Sequence, residues 1–94
     1  MTAPPRQVIS VAVQWDPAPI PAGKTATRLV AVHGATVGDV ATASHEGAGM
    51  ELVGLFANAA GPGQVLVILR NLGEGAVDVP PGMLRVAITK FGMM

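Results

Sequence analysis

The sequence has no cysteine and no tyrosine, and its one tryptophan and two phenylalanines make aromatics only 3% of 94 residues. Without cysteine there is neither a disulfide framework nor a thiolate zinc site, although that absence does not fix a compartment. Three rings, Trp15, Phe56 and Phe91, provide no stacking platform for carbohydrate or single-stranded nucleic acid. Charge is scarce as well: 13% of the residues are charged, with six Lys+Arg against six Asp+Glu and a formal net charge of zero. Nucleic-acid binding is dominated by phosphate neutralisation, so a balanced chain with no basic cluster is not expected to have a nucleic-acid partner. Long apolar runs are missing too. The longest, Val65-Leu66-Val67-Ile68-Leu69, has the length of a strand, far short of the roughly 18 residues of a membrane-spanning helix, so no membrane partner is expected. Met1–Gln7 carries two prolines and one arginine with no apolar run behind it, so no signal-peptide core is expected.

What the chain does have is apolar bulk, at 50% hydrophobic residues, in a length that allows one domain. Disorder is disfavoured, because its signature is low hydrophobicity with high net charge. A surface so poor in charge favours association, so a homo-oligomer is expected.

Strict alternation marks the strands. Ile9, Val11, Val13 and Trp15 fall on one face of a segment beginning at Val8, with Ser10, Ala12 and Gln14 on the other. Asp16-Pro17-Ala18-Pro19-Ile20-Pro21-Ala22-Gly23 ends it, and its alternating prolines predict a surface connection. Further strands are expected over Thr25–His33, Val37–Ser44, Met50–Asn58, Gln64–Arg70, Ala76–Val79 and Met83–Lys90. Between them, Gly-Pro-Gly at Gly61–Gly63, Gly73–Gly75 and Pro80-Pro81-Gly82 punctuate the chain as turns. No segment has a helical period. Short strands separated by turn signals predict an all-β fold: one small antiparallel β-sandwich, jelly-roll-like or barrel domain of about seven short strands over residues 8–90. An extended N-terminal arm over residues 1–7 would precede it, and an apolar C-terminal tail over 91–94 would follow.

No constellation of residues supports catalysis. His33 and His45, with Asp39 or Glu46, match no ligand spacing for a metal. Ser44-His45-Glu46 resembles a nucleophile, base and orienter only in one dimension, because neighbours on an extended chain point to opposite faces. Gly47-Ala48-Gly49-Met50-Glu51-Leu52 puts leucine where a dinucleotide loop needs its third glycine, and it opens no helix. Asp16, Glu46 and Glu74 sit in turns. The chain is therefore read as not an enzyme, with no cofactor, no metal and no small-molecule substrate. Its candidate sites are surfaces. Gln64–Arg70 is apolar on both faces, so either Val65, Val67 and Leu69 or the opposite-face Leu66 and Ile68 form a subunit interface. Phe91, Met93 and Met94 form an adaptable apolar tail, and Pro4, Pro5 and Arg6 an arm able to dock along a neighbour at low ordering cost.

The order of these segments resembles that of small β-rich virion proteins of tailed bacteriophages. The resemblance runs from Asp16–Gly23 and Thr25–His33 through Val37-Gly38-Asp39-Val40. It continues with Met50-Glu51-Leu52 leading to Phe56-Ala57-Asn58-Ala59-Ala60, then Gln64–Asn71, the turn at Gly73–Gly75 and Met83-Leu84-Arg85-Val86. It covers about residues 8–90 and consists of strand-and-turn patterns. Within that class the chain is most similar to capsid decoration, or cement, proteins. That resemblance implies a structural protein on the capsid surface of the virion, a trimer, with the major capsid protein as its partner. The arm around Pro4, Pro5 and Arg6 would then touch the capsid. A tail- or fibre-associated β-domain that binds a host surface is the alternative.

Overall fold

The alternation of Ile9, Val11, Val13 and Trp15 becomes β1 (Arg6–Trp15) in a computed structural model that describes residues 6–47 and 53–91. The other strands are β2 (Thr25–Ala31), β3 (Val40–His45), β4 (Val53–Gly61), β5 (Gln64–Asn71) and β6 (Gly82–Phe91). They form two three-stranded antiparallel sheets, ordered β1-β6-β3 and β2-β5-β4. β1 pairs with β6 and β2 with β5, while β3 runs close to β4 where the sheets meet. The chain is thus one long hairpin folded over into a sandwich, the nested arrangement of a jelly roll.

Each sheet turns one face inward. Val65, Val67 and Leu69 of the central strand β5 meet Leu84, Val86 and Ile88 of the central strand β6, all essentially without exposure. Val30, Val32, Ala35 and Val79 extend this core, and Ile9, Val11 and Val13 pack partly buried against it. Burying a side chain of this size stabilises the fold by about 1.5–3 kcal/mol, so these two central rows hold the sheets together. Along the open edge between β1 and β2, Arg28 donates from Nη1 to the carbonyl of Gln14 at 3.3 Å.

The strand count is six, not seven. Ala76–Val79 forms no strand, only the single bridge of Val77 with Ile20, closed by two backbone hydrogen bonds of 2.8 and 3.0 Å. The same bridge corrects the reading of Asp16–Gly23 as a surface connection, because Ile20 is 1% exposed and plugs one end of the core. Asn71 fixes that end. Its Nδ2 donates to the carbonyls of Ile20 (2.9 Å) and Gly75 (2.7 Å), and its Oδ1 accepts from the N–H of Gly73 (2.8 Å).

Several boundaries move for local reasons. β2 stops at Ala31, and Gly34 follows at φ +96°. β3 starts at Val40 because Thr36–Asp39 closes as a turn, with Gly38 at φ +95° and the N–H of Asp39 bonded to the carbonyl of Thr36. β4 runs on through Ala59 and Ala60 to Gly61, leaving Pro62-Gly63 as a two-residue turn. Proline followed by glycine at φ +72° suits a type II turn. β1 takes Arg6 and Gln7 from the expected arm and β6 takes Phe91 from the expected tail, because Arg6 pairs with Phe91 and Gln7 with Lys90.

Candidate interaction surface

The polar groups that invite a chemical reading are engaged in structure. His45 lies buried on the inner face of β3, its ring edge-on to Trp15 with centroids 5.8 Å apart. The N–H of Gly47 donates to Nδ1 (3.3 Å), so Nε2 carries the proton and donates to the carbonyl of Trp15 at 3.0 Å. Ser44 and Glu46 on either side are exposed, so the three consecutive side chains do not converge. Glu46 accepts from the N–H of Met83 at 2.8 Å and lies 3.6 Å from Arg85. The Met83 hydrogen bond, aided by the Arg85 charge, holds the Glu46 carboxyl below its ordinary range. Asp39 accepts from Lys90 Nζ at 2.7 Å and from the N–H of Thr36 at 2.9 Å. The Lys90 ammonium, seconded by the Thr36 N–H, holds that carboxyl low as well. His33 is exposed. Among the described residues no group of three or more His, Cys, Asp or Glu could hold a metal ion.

One open groove of about 580 Å³ lies at the end of the sandwich that holds Ile20, lined by Asp16, Pro17, Ala18, Pro19, Asp78, Pro80 and Pro81. Its two carboxylates stand among prolines and an alanine, with no cation in the lining to polarise a substrate.

The outer faces of the two sheets differ sharply. On β1-β6-β3 the outward side chains are mostly small or polar, and a shallow depression of about 190 Å³ is lined by Ser10, Thr42, Ala43, Ser44, Arg85, Val86 and Ala87. On β2-β5-β4 four outward side chains, Leu29, Phe56, Leu66 and Ile68, are large and apolar, set among Thr25, Thr27, Asn58, Gln64 and Arg70. Leu29, Phe56 and Leu72 are 56%, 54% and 55% exposed, and Leu66 and Ile68 lie half-buried between them. Cross-strand register makes this one patch, because Leu29 stands beside Leu66, and Ile68 beside Phe56. Gly54 extends it: a Cβ there would meet the Phe56 ring at 2.9 Å and a Leu72 methyl at 3.6 Å, so both side chains lie over the bare backbone. Scattered exposed leucines need no explanation, but a contiguous apolar patch marks a contact surface.

The structure separates the interface candidates. Val65, Val67 and Leu69 are fully buried in the subunit's own core and unavailable to a partner, whereas Leu66 and Ile68 lie on the outer face. Arg6 and Phe91 contribute backbone to the paired ends of β1 and β6. Pro4, Pro5, Met93 and Met94 lie outside the described residues. Sequence reading alone missed Leu29, Phe56 and Leu72 as members of the surface. Leu29 and Phe56 do sit on the polar-leaning faces of their strands, and only the register joins them to Leu66 and Ile68. No family model, no curated protein and no solved structure matches the chain.

Proposed function

We propose that the chain is a structural virion protein, a capsid decoration protein that binds the assembled shell of a tailed bacteriophage and stabilises it. The observation that carries the reading is the apolar patch of Leu29, Phe56, Leu66 and Ile68 on the outer face of β2-β5-β4, where Arg70 is the only charged outward side chain among the described residues. The strand-and-turn resemblance over residues 8–90 supports it. A protein that binds assembled capsid subunits but not separated ones stabilises the assembly by mass action, and it needs area rather than chemistry to do so. The partner in this reading is the major capsid protein, at positions repeated over the whole shell.

The test mixes the purified chain with shells assembled from a major capsid protein of a tailed bacteriophage. Stoichiometric co-sedimentation with shells, no binding to unassembled capsid subunits, and a higher shell melting temperature are expected. A chain that stays in the supernatant at every concentration overturns the proposal.

A further inference from the structure

We propose that the outer face of β2-β5-β4 is also a contact between copies of this chain, packed face to face about a two-fold axis. The axis lies in the plane of the face, runs across the strands, and passes β5 between Leu66 and Ile68. This contact rests on the reading above only in taking the face to be covered.

The register carries the inference. Along β5 the outward positions Leu66 and Ile68 sit in two cross-strand rows: Leu29, Leu66 and Asn58 in one, Thr27, Ile68 and Phe56 in the other. The bulky edge residues Leu29 and Phe56 therefore occupy one diagonal, and the smaller Thr27 and Asn58 the other. A two-fold axis across the strands exchanges the rows. Leu29 then falls over the partner's Thr27 and Phe56 over the partner's Asn58, so both bulky edge residues enter gaps left by small ones, while Leu66 meets the partner's Ile68 in the middle. A face that complements itself in this way is what a two-fold contact requires.

Charge agrees. Among the described residues the only charged side chain in an outward position of these three strands is Arg70, at one end of β5. The same rotation sets it over the partner's Gln64, so no like charges meet, and a net charge of zero leaves no long-range repulsion between copies.

Area sets the strength. Three strands spaced at about 4.8 Å, with seven or eight residues rising about 3.4 Å each, offer about 340–390 Å² per copy. A pair then buries about 700–800 Å², below the roughly 1,200–2,000 Å² of stable complexes. The contact is accordingly weak, forming where copies are concentrated and dissociating on dilution. It makes pairs, so a trimer would have to be built on other surfaces.

Sedimentation velocity of the full chain over a wide concentration range tests this, with Phe56→Lys as the variant, since Phe56 is exposed and its replacement spares the core. The wild type is expected to move from monomer to dimer as concentration rises. Phe56→Lys should associate at least about tenfold more weakly, because it puts a charge where a large apolar ring enters the contact. Because the chain has no cysteine, single variants Leu29→Cys and Thr27→Cys add a geometric test: oxidised together in equal amounts they should give well more heterodimer than the two homodimers combined, which is the random share. A wild type monomeric at every concentration, or a Phe56→Lys that associates equally well, overturns the contact. Phe56→Lys tested on shells keeps the two readings apart. If the wild type stays monomeric while Phe56→Lys loses shell binding, the face docks on the capsid protein and not on itself. If the wild type dimerises but never binds shells, the self-contact stands and the shell reading fails.

Discussion

Asn71 shows how one polar side chain can hold the end of an otherwise apolar sandwich. It is 1% exposed, and its amide ties the carbonyl of Ile20, the carbonyl of Gly75 and the N–H of Gly73 to the end of β5. Replacing it by alanine leaves the carbonyl of Ile20 with only the N–H of Val77 and takes the side-chain partners of the part-buried Gly75 carbonyl and Gly73 N–H, and a polar group stripped of a partner away from water costs about 1–3 kcal/mol. Asn71→Ala is therefore expected to lose about 2–4 kcal/mol of unfolding free energy, read from urea denaturation. A loss under about 0.5 kcal/mol, the range of ordinary surface changes, would contradict the role. Nothing in the sequence distinguishes Asn71 from a solvated turn residue, because Asn-Leu-Gly is also common turn chemistry. Ile20 was obscured in the same way, since the prolines around it read as a surface loop although its side chain is buried.

At the scale of elements, the loop entering β3 and the end of β6 are joined by Lys90, which bonds both Asp39 (2.7 Å) and Thr36 Oγ1 (2.9 Å). Since the folded state holds the Asp39 carboxyl below its ordinary 3.8, the unfolded chain binds its proton first as acid is added. The pairing thus contributes stability that is fully present well above pH 3.8 and is lost as pH falls through the lowered folded value. Glu46, held low by the Met83 N–H, acts in the same direction from its ordinary 4.5. Melting temperatures measured between pH 6 and 3 are expected to fall more steeply for the wild type than for the double variant Asp39→Asn, Glu46→Gln. Parallel curves would show that the two carboxylates contribute nothing to acid sensitivity. The strands themselves were mostly legible: the alternation in β1 and β6 predicts Trp15, Leu84, Val86 and Ile88 inward, as found. The absent seventh strand was not, because Ala76–Val79 has strand-forming residues but finds only one bridging partner, Ile20.

At the scale of the molecule, the two faces of β5 separate stability from contact. Leu69→Ala removes a side chain with no exposure from between the sheets and is expected to cost about 2–5 kcal/mol. Leu29→Ala, at a position 56% exposed on the outer face, should stay within about 0.5 kcal/mol when unfolding is followed on dilute protein. Equal losses at the two positions would mean that the outer face is packed within the subunit itself. Composition, alternation and turn chemistry by themselves determined an all-β domain of short antiparallel strands with few charges. They do so because strand periodicity and turn preferences act over a few residues. Which side of Val65–Leu69 faces inward, and that Leu29, Leu66, Ile68 and Phe56 form one surface, only the tertiary structure decided. A strand apolar on both faces carries no pattern to orient it. The choice rests on β2, distant in sequence, and on β4, across the Pro62-Gly63 turn, whose register brings their own apolar residues to both sides of the sheet.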